Sequence, residues 1–354
     1  MIAGSIKKQI TSLYLFAENT KYKFKSKKNK KGVLLVGLGK YNSNTILNAI
    51  KKSRHCYLVG VVTNDYNKGL EWSKKHNFSN RSIYNYSNFD SIKNNATIDI
   101  VYIALPDYLH SEFTIRAAKA GKDVICEKPL AMSYAEAKNM LMVCYSSNVM
   151  LGVGYRMYFQ PHHLKIIEIA NSKTYGKIKS ITAGFGSKLP FNSSWRFNDK
   201  EEGYGVLGDL GIYLIQATSR LLNENPKFVT STAEFVKDTN IPHTVSWQFE
   251  FNNKVETSLT VSYEQKLDEI FIEFEFGWIR LNPAFSYFVK GETHLGKLKI
   301  ASNKNYITEQ IDDFAKTVIN NTIPLTHAKN ALYDLKLIEH IKTAYQTGNK
   351  ISCL

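Results

Sequence analysis

Glu127-Lys128-Pro129, Asp209 with Tyr213, and Gly37 with Gly39 are the residues of this sequence whose chemistry asks for an explanation. A lysine offers a fixed hydrogen-bonding ammonium; a tyrosine both donates and accepts. The phenol has an unperturbed pKa near ~10, so it acts as a base near neutrality only beside a cation that stabilises its charge. Lys128 is the candidate cation. Asp209 and Tyr213 are four apart near the start of a predicted helix over about 205–222, so they share one face. Gly37-Leu38-Gly39-Lys40-Tyr41-Asn42 lies between an apolar run and a helical segment. The first glycine permits a tight turn, and the second lets backbone approach a pyrophosphate. The following helix N-terminus supplies free N–H groups and a positive dipole end. Asn42 stands where a third glycine is usual, which weakens the match.

These residues need elements to hold them. Val33–Val36, Tyr57–Val62 and Asp99–Leu105 are apolar runs that read as strands buried on both faces, and Lys122–Cys126 and Val149–Val153 extend the series. Helical segments over Ser43–Lys52, 67–76, 110–120 and 134–147 alternate with them. Ser133 and Glu136 form a capping box before the last of these. The alternation predicts a doubly wound parallel sheet over residues 32–154. Lys128 then follows a parallel strand's carboxyl end, where open α/β sheets bind ligands. Beyond 154, strand patterns at 178–185, 228–236, 244–251, 254–262, 269–276 and 277–281 are joined by short polar turns such as Asn252-Asn253. They predict an α+β domain over 155–354 with a large, mostly antiparallel sheet, closed by helices at about 308–320 and 328–347. The overall class is α/β.

The chain has 354 residues, 44% hydrophobic, which suits two domains with ordinary cores. No apolar run reaches the ~18 residues of a membrane span. The net charge is +15, and the nine Lys and one Glu of residues 1–31 supply +8 of it. The excess therefore sits in a basic tail rather than across a folded face. Without Arg or regular aromatic spacing the tail reads as a solvated arm, and no specific nucleic acid is expected. Cys56, Cys126, Cys144 and Cys353 form no C-x-x-C pair, and no export signal is evident. Both point to the cytoplasm. His162 and His163 are adjacent and make a poor metal pair, so no metal is expected.

The run from Val101 to His110 and that from Ala120 to Leu130 resemble the Gfo/Idh/MocA oxidoreductase family. So do Ile83–Asp90, Gly154-Tyr155-Arg156 and Asp209-Leu210-Gly211-Ile212-Tyr213. The resemblance spans about residues 32 to 350, and it is closest to the glucose–fructose oxidoreductase branch. It implies that Lys128 is the catalytic lysine, that Glu127 contacts the nicotinamide ribose, and that Pro129 follows a cis bond. Asp209 and Tyr213 match the acidic and acid–base positions. Many relatives carry His where this chain has Tyr213.

The expected activity is hydride transfer between a nicotinamide cofactor and a sugar or polyol. Gly37, Gly39, Lys40, Tyr41, Leu105, Pro106, His110 and Arg156 are expected around the cofactor with Glu127 and Lys128. Thr63 or Asn64, followed by Lys68, ends the second strand where NAD enzymes commonly carry an acid. A hydroxyl with a cation favours NADP; Asp65 facing the ribose would favour NAD. Tyr155, Trp195 and Arg196 are expected to contact the substrate. A sugar phosphate, inositol or anhydro-sugar is the alternative substrate. A phosphorylated one would need Arg156, Arg196 or Lys188 in the cleft. A catalytically silent nucleotide-sensing protein is the reading from a different class. By analogy with the fold, a homodimer or homotetramer is expected.

Overall fold

The computed structural model describes residues 30–189, 204–300 and 305–353. Trp195, Arg196 and nearly all of the basic tail lie outside the described residues. The first sheet has six parallel strands in the order β3-β2-β1-β4-β5-β6. They are β1 (Lys31–Val36), β2 (Cys56–Val62), β3 (Ile83–Tyr84), β4 (Ile100–Ile103), β5 (Asp123–Cys126) and β6 (Leu151–Val153). The apolar run at β1 is buried along its whole length because it is central and covered on both faces. Leu34 and Val36 join a core with Phe113, Ala117 and Met140 from helices α3 (His110–Lys119) and α4 (Tyr134–Ser146). Val33 and Leu35 point the other way, toward Ile46, Leu47 and Ile50. The capping box forms: Ser133 Oγ accepts from the Glu136 N–H at 3.1 Å, opening α4.

The second sheet has nine strands in the order β14-β13-β12-β11-β7-β10-β9-β8-β15. In chain order they are β7 (Ile178–Gly186), β8 (Phe228–Phe235), β9 (Pro242–Glu250), β10 (Glu256–Ser262), β11 (Leu267–Phe274), β12 (Gly277–Leu281), β13 (Gly291–Thr293), β14 (Gly296–Lys297) and β15 (Ile351–Ser352). Only β7 and β10 pair in parallel; the other neighbours are antiparallel. One face packs on the helix Ile212–Leu222, numbered α6 below, through Ile181, Ala183, Leu259 and Val261.

The structure departs from the sequence reading in three places. Pro161–Ser172 forms a helix, α5, that the polar His162-His163 pair concealed; Gln160 caps it by accepting from the N–H groups of both histidines. The segments expected as plain helices over Ser43–Lys52 and from about 205 open with π turns, Asn42–Ile46 before α1 (Leu47–Lys52) and Leu207–Gly211 before α6. Residues 155–354 also do not all pack on the second sheet. Helix α7 (Tyr306–Asn320) lays Ile307, Ile311, Phe314 and Ala315 against the first sheet. The reason is steric and apolar: Gly152 in β6 leaves room for the Phe314 ring, which a Cβ there would meet at 2.6 Å. Asp312 accepts from the Arg54 and His55 N–H groups and from Ser53 Oγ, closing the turn before β2. Helix α2 (Tyr66–His76) follows β2, and helix α8 (Ala328–Thr347) completes the second layer.

Phe314 therefore belongs to the nucleotide-side core although it lies far along the chain. Phe314→Ala should lower the unfolding free energy by about 3–5 kcal/mol, read from urea denaturation.

Candidate active site

The glycine turn after β1 is shaped by two different needs. Gly37 has φ +85°, and a Cβ there would also press on Leu105 at 3.0 Å and the Ala104 carbonyl at 3.1 Å. Gly39 is different, since a Cβ there would meet nothing within 4 Å. Its surroundings are open, as an approaching phosphate requires. Asn42, the departure from the glycine pattern, is buried and donates to the carbonyls of Val36 at 2.9 Å and Gly37 at 2.7 Å. Its amide ties down the turn that a third glycine would have left free.

At the end of β2 the acidic residue is spent locally. Asp65 Oδ1 accepts from the Lys68 N–H at 3.0 Å and caps α2. Thr63 is buried, and its hydroxyl accepts from the Asp65 N–H at 3.1 Å. The Lys68 ammonium instead reaches across to the Leu38 carbonyl at 3.0 Å, beside the glycine turn. Lys40 is exposed at the same place.

Glu127 follows β5. Its carboxylate is buried, takes the Tyr102 hydroxyl at 2.6 Å, and lies where a Gly154 Cβ would stand 2.7 Å from it. Burial raises the Glu127 pKa, against the opposing pulls of Tyr102 and Lys128. Burial, then the neighbouring Glu127, raises that of Tyr41 well above the usual phenol value. The Lys128-Pro129 peptide is cis. Lys128 Nζ donates to Asp209 twice, to Oδ1 at 2.8 Å and to the backbone carbonyl at 2.5 Å. It also stands 5.0 Å from the centroid of the Tyr213 ring. Burial alone would lower the Lys128 pKa, but Asp209 and then Tyr213 outweigh it, so the net direction is upward. Lys128 is thus an ammonium throughout the physiological range. Asp209 Oδ2 accepts from Tyr263 at 3.3 Å.

The structure brings Lys128, Asp209 and Tyr213 together from the ends of two different layers. It separates other expected site residues. Tyr155, expected at the substrate, is 2% exposed and stacks on Tyr158 at 5.8 Å, so its ring lies in the core. Arg156, expected at the cofactor, donates through Nε to the Tyr213 hydroxyl at 3.2 Å, and Tyr41 of the glycine turn is near enough to act on its charge. Spacing gave no signal for this contact or for Tyr306, which meets Arg156 from 150 residues away. His110 is fully buried and touches no groove. Its ring nitrogens face the carbonyls of Pro129 at 2.8 Å and Leu105 at 2.9 Å, joining the Leu105-Pro106 turn to the Lys128 turn. His163 is buried with Nε2 on the Ala284 carbonyl at 2.9 Å. Among the described residues no cluster of three metal-ligating side chains occurs. No described helix is long and apolar enough to cross a membrane.

A glycine turn at the head of a parallel sheet, with a lysine and a tyrosine converging at the strand ends, defines a nucleotide-binding oxidoreductase architecture. The chain belongs to the Gfo/Idh/MocA oxidoreductase family. Residues 31–155 match its NAD-binding Rossmann-fold model, and residues 163–280 match its C-terminal domain. A trans-1,2-dihydrobenzene-1,2-diol dehydrogenase of Xenopus laevis is 28% identical over 57% of this chain. That alignment spans only 60% of the frog protein's length. A D-xylose 1-dehydrogenase [NADP(+)] of Haloarcula marismortui is 22% identical over 90% of this chain and 91% of its own. The crystal structure of an aldose-aldose oxidoreductase from Caulobacter crescentus, complexed with glycerol, superimposes with a TM-score of 0.88 at 27% identity. It covers 91% of this chain and 99% of that one.

His110 makes the site sensitive to acid. Burial, opposed by the two carbonyl contacts, lowers its pKa to about 4. A neutral ring is kept in the fold while the unfolded ring, with a pKa near ~6.5, takes a proton. His110 therefore contributes stability that is complete above ~6.5 and is lost as pH falls toward 4, at most about 3 kcal/mol. In His110→Gln the pH dependence of urea unfolding should be shallower across that window by up to about 1.4 kcal/mol per pH unit.

Proposed function

We propose that this protein is an NADP-dependent oxidoreductase that transfers hydride between the nicotinamide and a carbon of a sugar or polyol. The observation that carries the reading is the convergence of Lys128 and Tyr213 just past the end of β5. An ammonium has three N–H donors, and Lys128 gives two to Asp209. The third is left for a substrate oxygen. Tyr213 is the group that exchanges a proton with that oxygen, while Asp209 holds the amine in place. In the oxidising direction Tyr213 acts as the phenolate, its own proton already released to solvent; the substrate O–H proton passes to its oxygen and the carbon–oxygen bond becomes a carbonyl as hydride leaves the carbon. The nicotinamide, when bound, supplies the hydride acceptor. Gly37, Gly39 and the π turn Asn42–Ile46 that follows them would hold its phosphates, and Glu127 its ribose.

The choice of NADP is supported by the region after β2. Asp65 uses one carboxylate oxygen, Oδ1, to cap α2. Lys68 and Lys40 place two cations beside the glycine turn, where a 2′-phosphate would seek them. A sugar or polyol is supported by the aromatic surround of Tyr213. Phe185 lies half-buried 5.5 Å away edge-on, and Tyr287 is exposed beside Arg156. Such faces pack on the C–H side of a sugar. The names of the diol, xylose and aldose relatives point the same way. A phosphorylated substrate is less favoured, because Arg156 is already engaged and Lys188 is exposed. The retained Lys128, Asp209 and Tyr213 disfavour a silent nucleotide sensor. Four buried free thiols suit a reducing cytoplasm. The exposed Thr182 and Ser258 on the outward face of the second sheet give a flat surface on which a homodimer or tetramer could form.

Tyr213→Phe should lower kcat by about 10²- to 10⁴-fold with a sugar panel, while bound reduced cofactor, followed by its near-ultraviolet absorbance, is unchanged. Retained turnover in that variant would refute the assignment. Lys68→Glu should reverse the cofactor preference, raising KM for NADP by about tenfold or more relative to NAD in initial-rate assays.

A further inference from the structure

Arg156 is a buried cation with an unusual set of partners. It is 7% exposed, yet no carboxylate pairs with it among the described residues. Nε donates to the Tyr213 hydroxyl at 3.2 Å, one terminal nitrogen to the Tyr306 hydroxyl at 3.2 Å, and the other to the Phe285 carbonyl at 2.6 Å. Its guanidinium also lies 5.0 Å from the ring centroids of both Tyr213 and Tyr287. Burying a charge without a counter-charge is expensive, and proteins normally remove the charge or pair it. A guanidinium cannot be neutralised, so its environment must carry the compensation.

We propose that Arg156 is the positioning residue for proton transfer at Tyr213, orienting the phenol oxygen and sharing the charge that arises there when the substrate proton leaves again. This rests on the reading of Tyr213 as the proton-transferring group. Three features of the geometry lead to it. The Nε–H occupies one acceptor site on the phenol oxygen, which leaves the other lone pair and the O–H for further partners. The guanidinium is held rigidly by Phe285 and Tyr306, so the oxygen it bonds is held as well. Lys128 lies over the ring at 5.0 Å and is committed to Asp209, so the amine and the guanidinium address different parts of the same side chain. The groups facing the phenol are Lys128, Arg156, the Asp209 carboxylate beyond Lys128, and the phenols of Tyr41, Tyr287 and Tyr306. Phe185 and Phe285 close neutral sides. Burial opposes the Arg156 charge, but Tyr213 and then Tyr306 favour it, and the net shift is upward. In a turnover Arg156 keeps all its protons. Tyr213 enters the step as the phenolate; the substrate hydroxyl proton goes to its oxygen, the hydride goes to the oxidised nicotinamide, the product leaves as a carbonyl, and the phenol returns its proton to solvent before the next turnover.

The test uses the full-length protein with its cofactor and whichever sugar or polyol it turns over. Arg156→Gln and Arg156→Lys are compared with wild type by the pH dependence of kcat, by cofactor affinity and by thermal melting. The expected result for Arg156→Gln is a kcat lower by about 10- to 100-fold, with the alkaline-rising limb for alcohol oxidation displaced to higher pH. Cofactor affinity should stay within about twofold. Arg156→Lys keeps a cation at the site and should return the limb toward its wild-type position even if kcat stays reduced. If Arg156→Gln does not fold, the neutral Arg156→Met takes its place with the same expected displacement of the limb. In either neutral variant a wild-type limb with wild-type kcat overturns the proposal. Where Arg156→Gln folds, a loss of kcat with an unmoved limb also overturns it, since that is the behaviour of a purely structural residue. Tyr213→Phe is run in parallel. If it retains turnover, the assignment of Tyr213 fails, and that failure is distinct from any result at Arg156.

Discussion

The contact between Lys128 and Asp209 is the constraint on which the rest of the site depends. Lys128 follows the fifth strand of the parallel sheet, and Asp209 sits in the first turn of a helix packed on the other sheet. Their 2.8 Å bond therefore fixes the position of one layer against the other at the point where chemistry is expected. Its net contribution to stability is small, because the Coulomb gain is offset by desolvation of two largely buried charges. What it supplies is position. An ammonium held by two acceptors on one residue has little freedom left, and its remaining donor points in one direction only.

The supporting parts work by subtraction. Gly37 and Gly39 remove side chains where the turn must be tight or open, and Gly154 removes one where the Glu127 carboxylate must sit. His110 lies buried between two turns, with a carbonyl of each facing one of its ring nitrogens. Asp65, which in another setting would face a ribose, is consumed by a helix cap. The two helices that lead from the glycine turn and carry Asp209 both begin with a wide π turn. Such turns shift the phase of the following residues and occur often at functional sites. Asp209 lies within that widened turn and Tyr213 just after it, and both still face Lys128.

Much of this was legible in the residues. The parallel sheet showed itself because Val33–Val36 and its companions are apolar on both faces, and the capping box at Ser133 located a helix start. The second sheet was visible through its alternation. Helix Pro161–Ser172 was not, because its opening residues are polar and its start depends on Gln160. The packing of residues 306–320 on the first sheet was hidden for a topological reason: it requires the chain to return after the whole second domain. Tyr155 and Arg156 show the limit at the site itself. One neighbour is expected at the substrate and the next at the cofactor, yet Tyr155 has φ −87° and ψ 69°, a bend that sends its ring into the core and the next side chain toward Tyr213. No spacing rule contains that bend.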